Sequence, residues 1–464
     1  MTALHDPGRV AAPDPHLPEH EAAEPEPWRL RFPRFDAVTL TVIFAFFAFL
    51  IPARYTYAGI GAAGRPGILL GIALLFWWGI TRAIPSMSFR RANPVRQAAL
   101  GFFVVFLMAY AGGLSRALPG VESRAMDRSL IITASLIGVT LVVTDGVKDR
   151  ARLDRLLSWT VIGGSVMALL GHIQFFVGVN LTENFRLPGM SLNRDFFEVE
   201  DRNAFTRVNA TATHPIEFGV LMGMLLPVAI HYALHARTTN QKIVHWTATA
   251  LIATAGPMSV SRSSIVAIGA GILVLAIGWD RRTRRRALML SVPALIAFSS
   301  AVPGLLGTIR GLFAAWGSDS SIQYRTNDYD LIFEFVSERP LFGRGPGTFL
   351  PENYFVVDNQ YLITLVTTGI VGFLGLIGFV GIAALSLILI RRRVDDAETR
   401  HLALALLASY ASAAAASVTY DSLALAYSIF ASVLFLLIGA AGALWRVEQH
   451  RWDPRAERRE VAPR

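Results

Sequence analysis

Long runs of apolar residues limit what this chain can fold into more than any other feature of its sequence. Several approach or exceed the about 18–20 residues that cross a bilayer core, among them FDAVTLTVIFAFFAFLI, QAALGFFVVFLMAYAGGL and ITLVTTGIVGFLGLIGFVGIAALSLILI. Only 17% of the residues are charged, below the roughly 25% of soluble domains. Because the bilayer core offers the backbone no water, such runs close their own hydrogen bonds as helices. The sequence therefore predicts an all-α, polytopic membrane protein with about twelve transmembrane helices.

The two ends of the chain differ from this membrane region in composition. Residues 1–34 are rich in proline, alanine and glutamate and too polar to insert, which predicts a disordered cytoplasmic tail. We expect residues 35–446 to form one membrane-embedded domain and residues 447–464 to form a second charged cytoplasmic tail. The chain has no cysteine, which excludes disulfides, thiolate catalysis and cysteine-based metal sites, and we expect neither a cofactor nor a metal.

The basic residues lie in short segments between the apolar runs, where they indicate membrane topology and not a nucleic-acid surface. The positive-inside rule predicts that both termini lie in the cytoplasm, and we expect the protein in a bacterial inner membrane. This topology predicts two long external loops, residues 180–213 and residues 303–357. The second is too long for a simple connection. Its middle, TNDYDLIFEFVSERPLFG, is predicted to lie as a short amphipathic helix on the outer membrane surface, with one face formed by Leu331, Ile332, Phe335 and Val336.

Arginines are more frequent in these external loops than the topology explains, and arginine binds phosphate through a planar fork of donors. For any single one, solvation or pairing with a nearby acid is the simpler explanation. Three positions are more specific. Arg207 lies shortly before Pro215 and Glu217, which predict a helix start whose N–H groups and dipole favour an anion. Arg262, in the predicted turn SVSRSSI, is explained equally well by contact with lipid headgroups, and Arg325 precedes the amphipathic helix.

Acidic and histidine side chains at the predicted outer face are candidate proton acceptors. Asp358 opens a predicted span in VVDNQYLITLV, where it is either the N-cap of the helix or a base for a substrate hydroxyl. His214 is more often a helix-start residue than a base. The segment SVTYDSLAL carries Tyr420 and Asp421, which are candidates for the same cavity.

The glycine-rich segment RPLFGRGPGTF lies in the second external loop. Its spacing differs from the phosphate-binding pattern GxxxxGK[ST], and the sequence indicates no strand before it. We interpret Gly343, Gly345 and Gly347 as a rigid turn that positions Arg344.

Four segments resemble the O-antigen ligase and polymerase superfamily and follow its order along the chain: NATATHPIEFG, SVSRSSIVAIGAGILVL, RPLFGRGPGTF and DNQYLITLVTTGIVG. The resemblance implies a large helical bundle in the membrane and a metal-independent glycosyltransferase. Such enzymes take a glycan from undecaprenyl pyrophosphate at the outer leaflet and transfer it to a hydroxyl acceptor. The acceptor is lipid A–core in ligases and another lipid-linked repeat unit in polymerases.

The resemblance also implies roles for individual residues. Arg207 and Arg262 are expected to bind the pyrophosphate, with Arg325 as a partner from the loop. The ligases have a histidine where this chain has Asp358, so that their H-x-x-x-L reads D-N-Q-Y-L here. This difference favours a polymerase and gives Asp358 the catalytic place of the histidine. Further predicted contacts with substrate are Arg344, His214, Asn359, Tyr361 and Asp421. The alternative function is a polytopic transporter of a lipid-linked or anionic substrate.

Overall fold

The structure is a computed structural model that describes residues 36–57, 61–84, 91–185, 187–192, 206–314, 329–423 and 428–452. These residues form fourteen α-helices, two short 3₁₀ helices (Gly61–Gly64 and Leu181–Asn184) and one antiparallel pair of strands, β1 (Tyr55–Tyr57) and β2 (Met190–Leu192). The helices are α1 (Ala37–Leu50), α2 (Pro66–Ala83), α3 (Pro94–Leu114), α4 (Gly120–Gly146), α5 (Arg150–Val177), α6 (Pro215–Leu234), α7 (Thr239–Met258), α8 (Arg262–Gly278), α9 (Arg281–Ala301), α10 (Leu305–Ala314), α11 (Tyr329–Glu338), α12 (Gln360–Arg393), α13 (Ala397–Ser417) and α14 (Ile429–Trp452). The predicted all-α class is confirmed for this part of the chain.

Within the described residues, seven helices are long and apolar enough to cross a membrane: α2 to α6, α12 and α14. A bend of 103° separates α9 from α10, and the pair makes an eighth span if it is counted as one. The apolar helices α1 and α8 have only 14 and 17 residues. A multi-pass membrane protein is therefore confirmed. The predicted count of about twelve is not confirmed, because it took short helices such as α1 and α8 for full spans.

Both predicted cytoplasmic tails stay predictions. Residues 1–34 lie outside the described residues, so that prediction is not tested. Where the second tail is predicted to begin, at residue 447, the structure shows α14 continuing to Trp452. The side chain of Glu448 is buried against the bundle.

At one end of the bundle, ion pairs connect the ends of neighbouring helices. Arg96 of α3 pairs with Asp145 at the end of α4, with 3.0 Å between nitrogen and oxygen. Arg237, which follows α6, pairs with Glu398 at the start of α13 at 2.9 Å. We call this the arginine-rich end, and the topology predicts that it faces the cytoplasm.

The opposite end is where α6, α12 and α14 begin, and we call it the predicted outer end. Its helix starts are joined by buried side chains. The Glu217 carboxylate of α6 accepts a hydrogen bond from the backbone N–H of Ile429, the first residue of α14, at 2.6 Å. The side-chain oxygen of Gln360, the first residue of α12, accepts from the backbone N–H of Leu423 at 2.5 Å. These contacts bring segments far apart in sequence to one end of the bundle.

Near the predicted outer end, α12 is broken at Gly369, whose φ of 67° and ψ of −172° are not helical. The backbone of residues 366–371 forms four hydrogen bonds of 2.8–3.1 Å with the backbone of residues 340–345. Because water is scarce inside a membrane, a break in a helix needs such partners from the protein itself. We call residues 339–347 the glycine loop. The predicted turn is formed, and its hydrogen bonds close the break in α12.

Gly343→Ala and Gly369→Ala are expected to destabilise the protein. Both glycines have positive φ, 69° and 67°, where a side chain is strained. An added Cβ would lie 2.5 Å from the Thr367 carbonyl carbon in the first variant and 2.3 Å from the Leu341 oxygen in the second. Backbone strain alone costs on the order of 1–3 kcal/mol, and the clashing atoms are themselves backbone. Thermal unfolding of the protein purified in detergent measures the effect as a lower midpoint temperature.

The matched control for this prediction is Gly378→Ala. Gly378 lies on α12, as Gly369 does, and no atom lies within 4 Å of its added Cβ. Alanine is the better helix former, so this variant should unfold at the wild-type temperature or above it. If Gly343→Ala unfolded at the same temperature as Gly378→Ala, the glycine loop would not stabilise the break.

The amphipathic helix predicted in the second external loop is α11. Ile332 is 1% exposed, and it packs with Phe335 and Val336 against a cluster that includes Phe349 and Ile363. Leu331, predicted on the same face, is 47% exposed, so that part of the prediction is wrong. The apolar face of α11 therefore lies against the protein, over the beginning of α12, and not against the membrane surface.

Candidate functional site

Arg207 lies in the segment that leads into α6, and its side chain is 6% exposed. Gln174 of α5 fixes this segment. Its side-chain oxygen accepts from the backbone N–H groups of Asn209 and Ala210 at 3.2 and 2.8 Å, and its amide donates to the Asn209 side chain at 3.0 Å. Ala210 has a φ of 46°, which is uncommon for a residue other than glycine. The segment that carries Arg207 is therefore held in one conformation by buried contacts.

The tight turn between α7 and α8 leads to Arg262, the first residue of α8, as predicted. Val260 in this turn is buried and has a φ of 47°, a strained conformation for a β-branched residue. The Nε of Arg207 donates to the Ser259 carbonyl of the same turn at 3.5 Å. The Nε of Arg262 donates to the Leu312 carbonyl of α10 at 2.8 Å. The two arginines thus lie at neighbouring segments, and a backbone carbonyl orients each guanidinium group.

The third predicted arginine, Arg325, belongs to residues 315–328, which lie outside the described residues. Its convergence with Arg207 and Arg262 therefore stays a prediction.

The start of α6 is formed as predicted, with His214 as the N-cap and Pro215 at the first helical position. The Nδ1 of His214 accepts a hydrogen bond from the Ile216 backbone N–H at 3.1 Å. The neutral ring therefore carries its proton on Nε2, where it acts as a donor. This contact supports the helix-start explanation of His214 over the base.

Glu217 in the first turn of α6 is fully buried. One carboxylate oxygen accepts from the Thr213 backbone N–H and hydroxyl, at 3.0 and 2.7 Å. The other accepts from the backbone N–H groups of Ile429 and Phe430, at 2.6 and 3.3 Å. A buried charge is tolerated when it is hydrogen-bonded in this way. Glu217 therefore holds together the starts of α6 and α14 at the predicted outer end.

The N-cap of α12 is Asn359, so the explanation of Asp358 as the cap is wrong. The Asn359 side-chain oxygen accepts from the backbone N–H groups of Tyr361 and Leu362 at 3.0 and 3.3 Å. Asp358 precedes the cap by one residue and is half-buried. The Tyr361 hydroxyl donates to the Ala414 carbonyl of α13 at 3.0 Å. These contacts give Asn359 and Tyr361 structural roles; their predicted contact with substrate is not tested.

The Tyr420 hydroxyl at the predicted outer end is buried, and the charges of three carboxylates act on it. Its side chain is 3% exposed, and the hydroxyl has no hydrogen-bond partner among the described residues. Burial raises the pKa of the Tyr420 phenol well above its usual value, and the negative charges of Glu217, Asp421 and Asp358 raise it further. The phenol is therefore neutral, and it is a buried donor that a substrate oxygen can satisfy. The negative charges of Asp358 and Asp421 both influence this hydroxyl; that they belong to one site stays a prediction.

Arg344 is bound within the second external loop. Its guanidinium group pairs with Glu338 at 2.7 Å, donates to the Tyr354 hydroxyl at 2.9 Å and lies over the Phe335 ring, 4.9 Å from its centre. Tyr354 in turn donates to the buried Glu122 carboxylate of α4 at 2.8 Å. These contacts explain Arg344 as a residue that fastens the loop to α4. Its predicted contact with substrate stays a prediction.

A cavity of about 210 Å³ lies between α3, α4, α12, α14 and residues 346–357. We call it the α4–α12 cavity. Asp421 lines it, and so does Arg128 of α4, which sequence reasoning missed. The available signal was that Arg128 follows Gly120, a helix start at the predicted outer end, where the positive-inside rule depletes arginine.

Among the described residues, one group of histidines has nitrogens close enough together to hold a metal, within 4.8 Å: His231, His235 and His401, near the arginine-rich end. Trp279 donates to the Nε2 of His401 at 2.9 Å, so the proton of that ring is on Nδ1, which faces the Nδ1 of His231 at 2.9 Å. A ligating histidine needs the opposite arrangement, with an acceptor at its far nitrogen. The hydrogen bonds therefore explain this group as packing between α6 and α13.

The fold and these contacts define a multi-pass helical membrane protein whose predicted outer end combines oriented arginines, carboxylates and a cavity. The family model described as O-antigen ligase matches residues 247–377, less than a third of the chain. The matched residues include Arg262, Arg344 and Asp358, whereas Arg207 and Asp421 lie outside them. The match confirms the resemblance to the O-antigen ligase and polymerase superfamily and supports membrane glycan processing of that type. No curated protein matches the chain significantly.

Proposed function

We propose that this protein is a glycosyltransferase of the bacterial inner membrane, with both termini in the cytoplasm. It transfers or polymerises glycan from an undecaprenyl-pyrophosphate donor onto a hydroxyl acceptor at the outer face. The observation that carries the proposal is the approach of Arg207 and Arg262 to one tight turn, at the same end of the bundle as Asp358.

In this mechanism the two arginines bind the pyrophosphate of the donor and stabilise the negative charge that grows on it. The acceptor oxygen attacks the anomeric carbon from the face opposite the pyrophosphate. The bond from that carbon to the pyrophosphate oxygen breaks as the new glycosidic bond forms. Asp358 accepts the proton of the acceptor hydroxyl. Pyrophosphate is already a good leaving group, so the mechanism uses no metal.

We favour a polymerase over an O-antigen ligase because Asp358 stands where the ligases have a histidine. A carboxylate and an imidazole both accept a proton, but they present different charge and shape to the acceptor. In this mechanism residue 358 is the residue closest to the acceptor. A different residue at this position is therefore expected to go with a different acceptor.

The break in α12 is the observation that favours the transporter alternative, since transporters break helices within the membrane at their substrate sites. Here the backbone groups around Gly369 are bonded to the glycine loop. They are consequently not turned toward a path for an ion or substrate, and we place the transporter second.

Purified protein in liposomes, supplied with a fluorescent undecaprenyl-pyrophosphate repeat unit, separates these functions. A polymerase converts the donor alone into longer glycans and releases undecaprenyl pyrophosphate, which chromatography and mass spectrometry detect. Product that forms only after lipid A–core is added would indicate a ligase. Donor that crosses the bilayer without covalent change would contradict the proposal and indicate a transporter.

A further inference from the structure

Arg128 is the charged residue of the α4–α12 cavity whose role the mechanism does not explain. It is half-buried on α4, eight residues after Gly120, which is about 12 Å along the helix at 1.5 Å per residue. It forms no ion pair and no hydrogen bond with any residue that the structure describes. A cation at such depth is costly unless something pairs with it. The cavity that Arg128 lines is therefore expected to receive an anionic group.

The rest of the cavity lining combines hydroxyl groups with aromatic rings. Thr364, Thr367 and Thr368 lie on the first segment of α12, and each hydroxyl donates to a carbonyl of its own helix, at 2.6–2.7 Å. Their donors are used, but oxygen lone pairs remain to accept from a ligand. Phe102 and Phe355 supply apolar surface on other sides. A sugar ring, with apolar faces and a rim of hydroxyls, matches this combination, whereas a lipid chain has no use for the hydroxyls and the cation.

The size of the cavity limits its occupant. Its volume of about 210 Å³ is smaller than the roughly 300–1,000 Å³ of pockets for drug-sized ligands. This volume suits one ring and not an oligosaccharide. Asp421, also in the lining, repels an anion, so the acidic group of the ligand belongs at Arg128 and away from Asp421.

We infer that the α4–α12 cavity binds one acidic sugar ring of the acceptor glycan, with its carboxylate on Arg128. The inference rests on the proposed function and deepens it, because it names the class of acceptor: a glycan that contains a uronic acid. Val357 and Gln360, which flank Asp358 and Asn359 in the chain, line the cavity together with Asp421. An acceptor held in the cavity consequently lies near the segment that carries the proposed base.

Binding of monosaccharides to the full-length protein in detergent tests the inference without any transfer step. Glucuronate and glucose serve as probes, titrated in ligand-detected NMR. We expect glucuronate to bind at least about tenfold more tightly than glucose, as a charge-assisted hydrogen bond to arginine predicts. Arg128→Gln should lose that preference and bind both sugars as weakly as the wild type binds glucose.

The matched control is Arg124→Gln, one turn earlier on α4, because Arg124 is exposed and does not line the cavity. It should bind glucuronate like the wild type. Thr367→Val provides a second test should Arg128→Gln fold poorly; it removes a lining hydroxyl and should weaken both sugars while the preference for glucuronate remains.

Three results would overturn the inference. They are equal affinity for glucuronate and glucose, equal losses in Arg124→Gln and Arg128→Gln, and displacement of glucuronate by an equal concentration of inorganic phosphate, which would indicate a phosphate site. None of these results affects the proposed function, whose own test is donor turnover. Conversely, glucuronate binding that persists in a protein without turnover on any donor would count against the proposed function alone.

Discussion

Asp358→Asn is expected to lower turnover of the lipid-linked donor by about 10²–10⁴-fold, the usual contribution of a general base. Asparagine keeps the shape of the side chain and loses its basicity. The helix start is not affected, because Asn359 and not Asp358 caps α12. The measurement is glycan formed by the purified variant in liposomes, with size-exclusion chromatography to show that the protein is intact.

Two controls distinguish the base from its surroundings. Asn359→Ser keeps a good cap on α12 without adding a charge beside Asp358, and it should lose much less turnover than Asp358→Asn. Asp421→Asn removes a neighbouring carboxylate from the cavity and should change KM with little change in kcat, since Asp421 lines the cavity but accepts no proton in this mechanism. Asp358→His restores the residue of the ligases and should keep part of the activity. Near-wild-type turnover of Asp358→Asn would remove Asp358 from catalysis.

The sequence predicted the starts of α6 and α8 correctly because their signals are local. Pro215 fits the first helical position, and the hydroxyl-rich turn before Arg262 interrupts two apolar runs. The class of the fold was predictable for a related reason. Apolar runs of this length form helices in a bilayer, and they do so whatever the neighbouring segments are.

The break in α12 was not predictable, since TLVTTGIVGFLGL reads as one continuous span. What makes a non-helical Gly369 tolerable is the glycine loop, which lies more than twenty residues earlier in the chain. The same limit applies to the count of spans. Hydropathy identifies apolar segments, but it does not tell whether a 14-residue helix such as α1 crosses a bilayer or stays short within the bundle.

The candidate site was predictable only in part. Arg207 and Arg262 were found because each stands beside a helix start, but their common turn depends on packing of α6 against α8, where a Cβ on Gly219 would lie 2.3 Å from the Ser259 hydroxyl. Asp358 and Asn359 are adjacent and both are good caps, so only the backbone conformation decides between them. Arg128 was missed because arginines in the first turns of an otherwise apolar helix look like exceptions to the predicted topology.

Arg207→Gln and Arg262→Gln should each lower kcat/KM for the donor by about 10²–10³-fold, as the loss of one group that stabilises developing charge does elsewhere. Glutamine keeps a side-chain amide for the Ser259 or Leu312 carbonyl, so the local fold is expected to survive. Lysine at either position keeps the charge but loses the planar fork, and it should recover only part of the activity.

Arg310→Gln is the matched control, because Arg310 lies on α10 close to Leu312 but is exposed. This variant removes a positive charge from the same loop and should retain wild-type turnover at low and at physiological salt. Equal losses of turnover in Arg310→Gln and Arg262→Gln would show that the donor is attracted by the overall positive charge of the loop. That result would contradict a specific pyrophosphate site.

The double variant Arg207→Gln/Arg262→Gln decides whether the two arginines bind one group. Residues that hold the same leaving group act as a unit, and their effects on catalysis are not additive. Once the first arginine is gone, the pyrophosphate is already misplaced, so removal of the second should cost less than it does alone. We therefore expect the double variant to lose less than the product of the two single losses. Losses that multiply would mean that Arg207 and Arg262 bind different groups, in spite of the turn that they share.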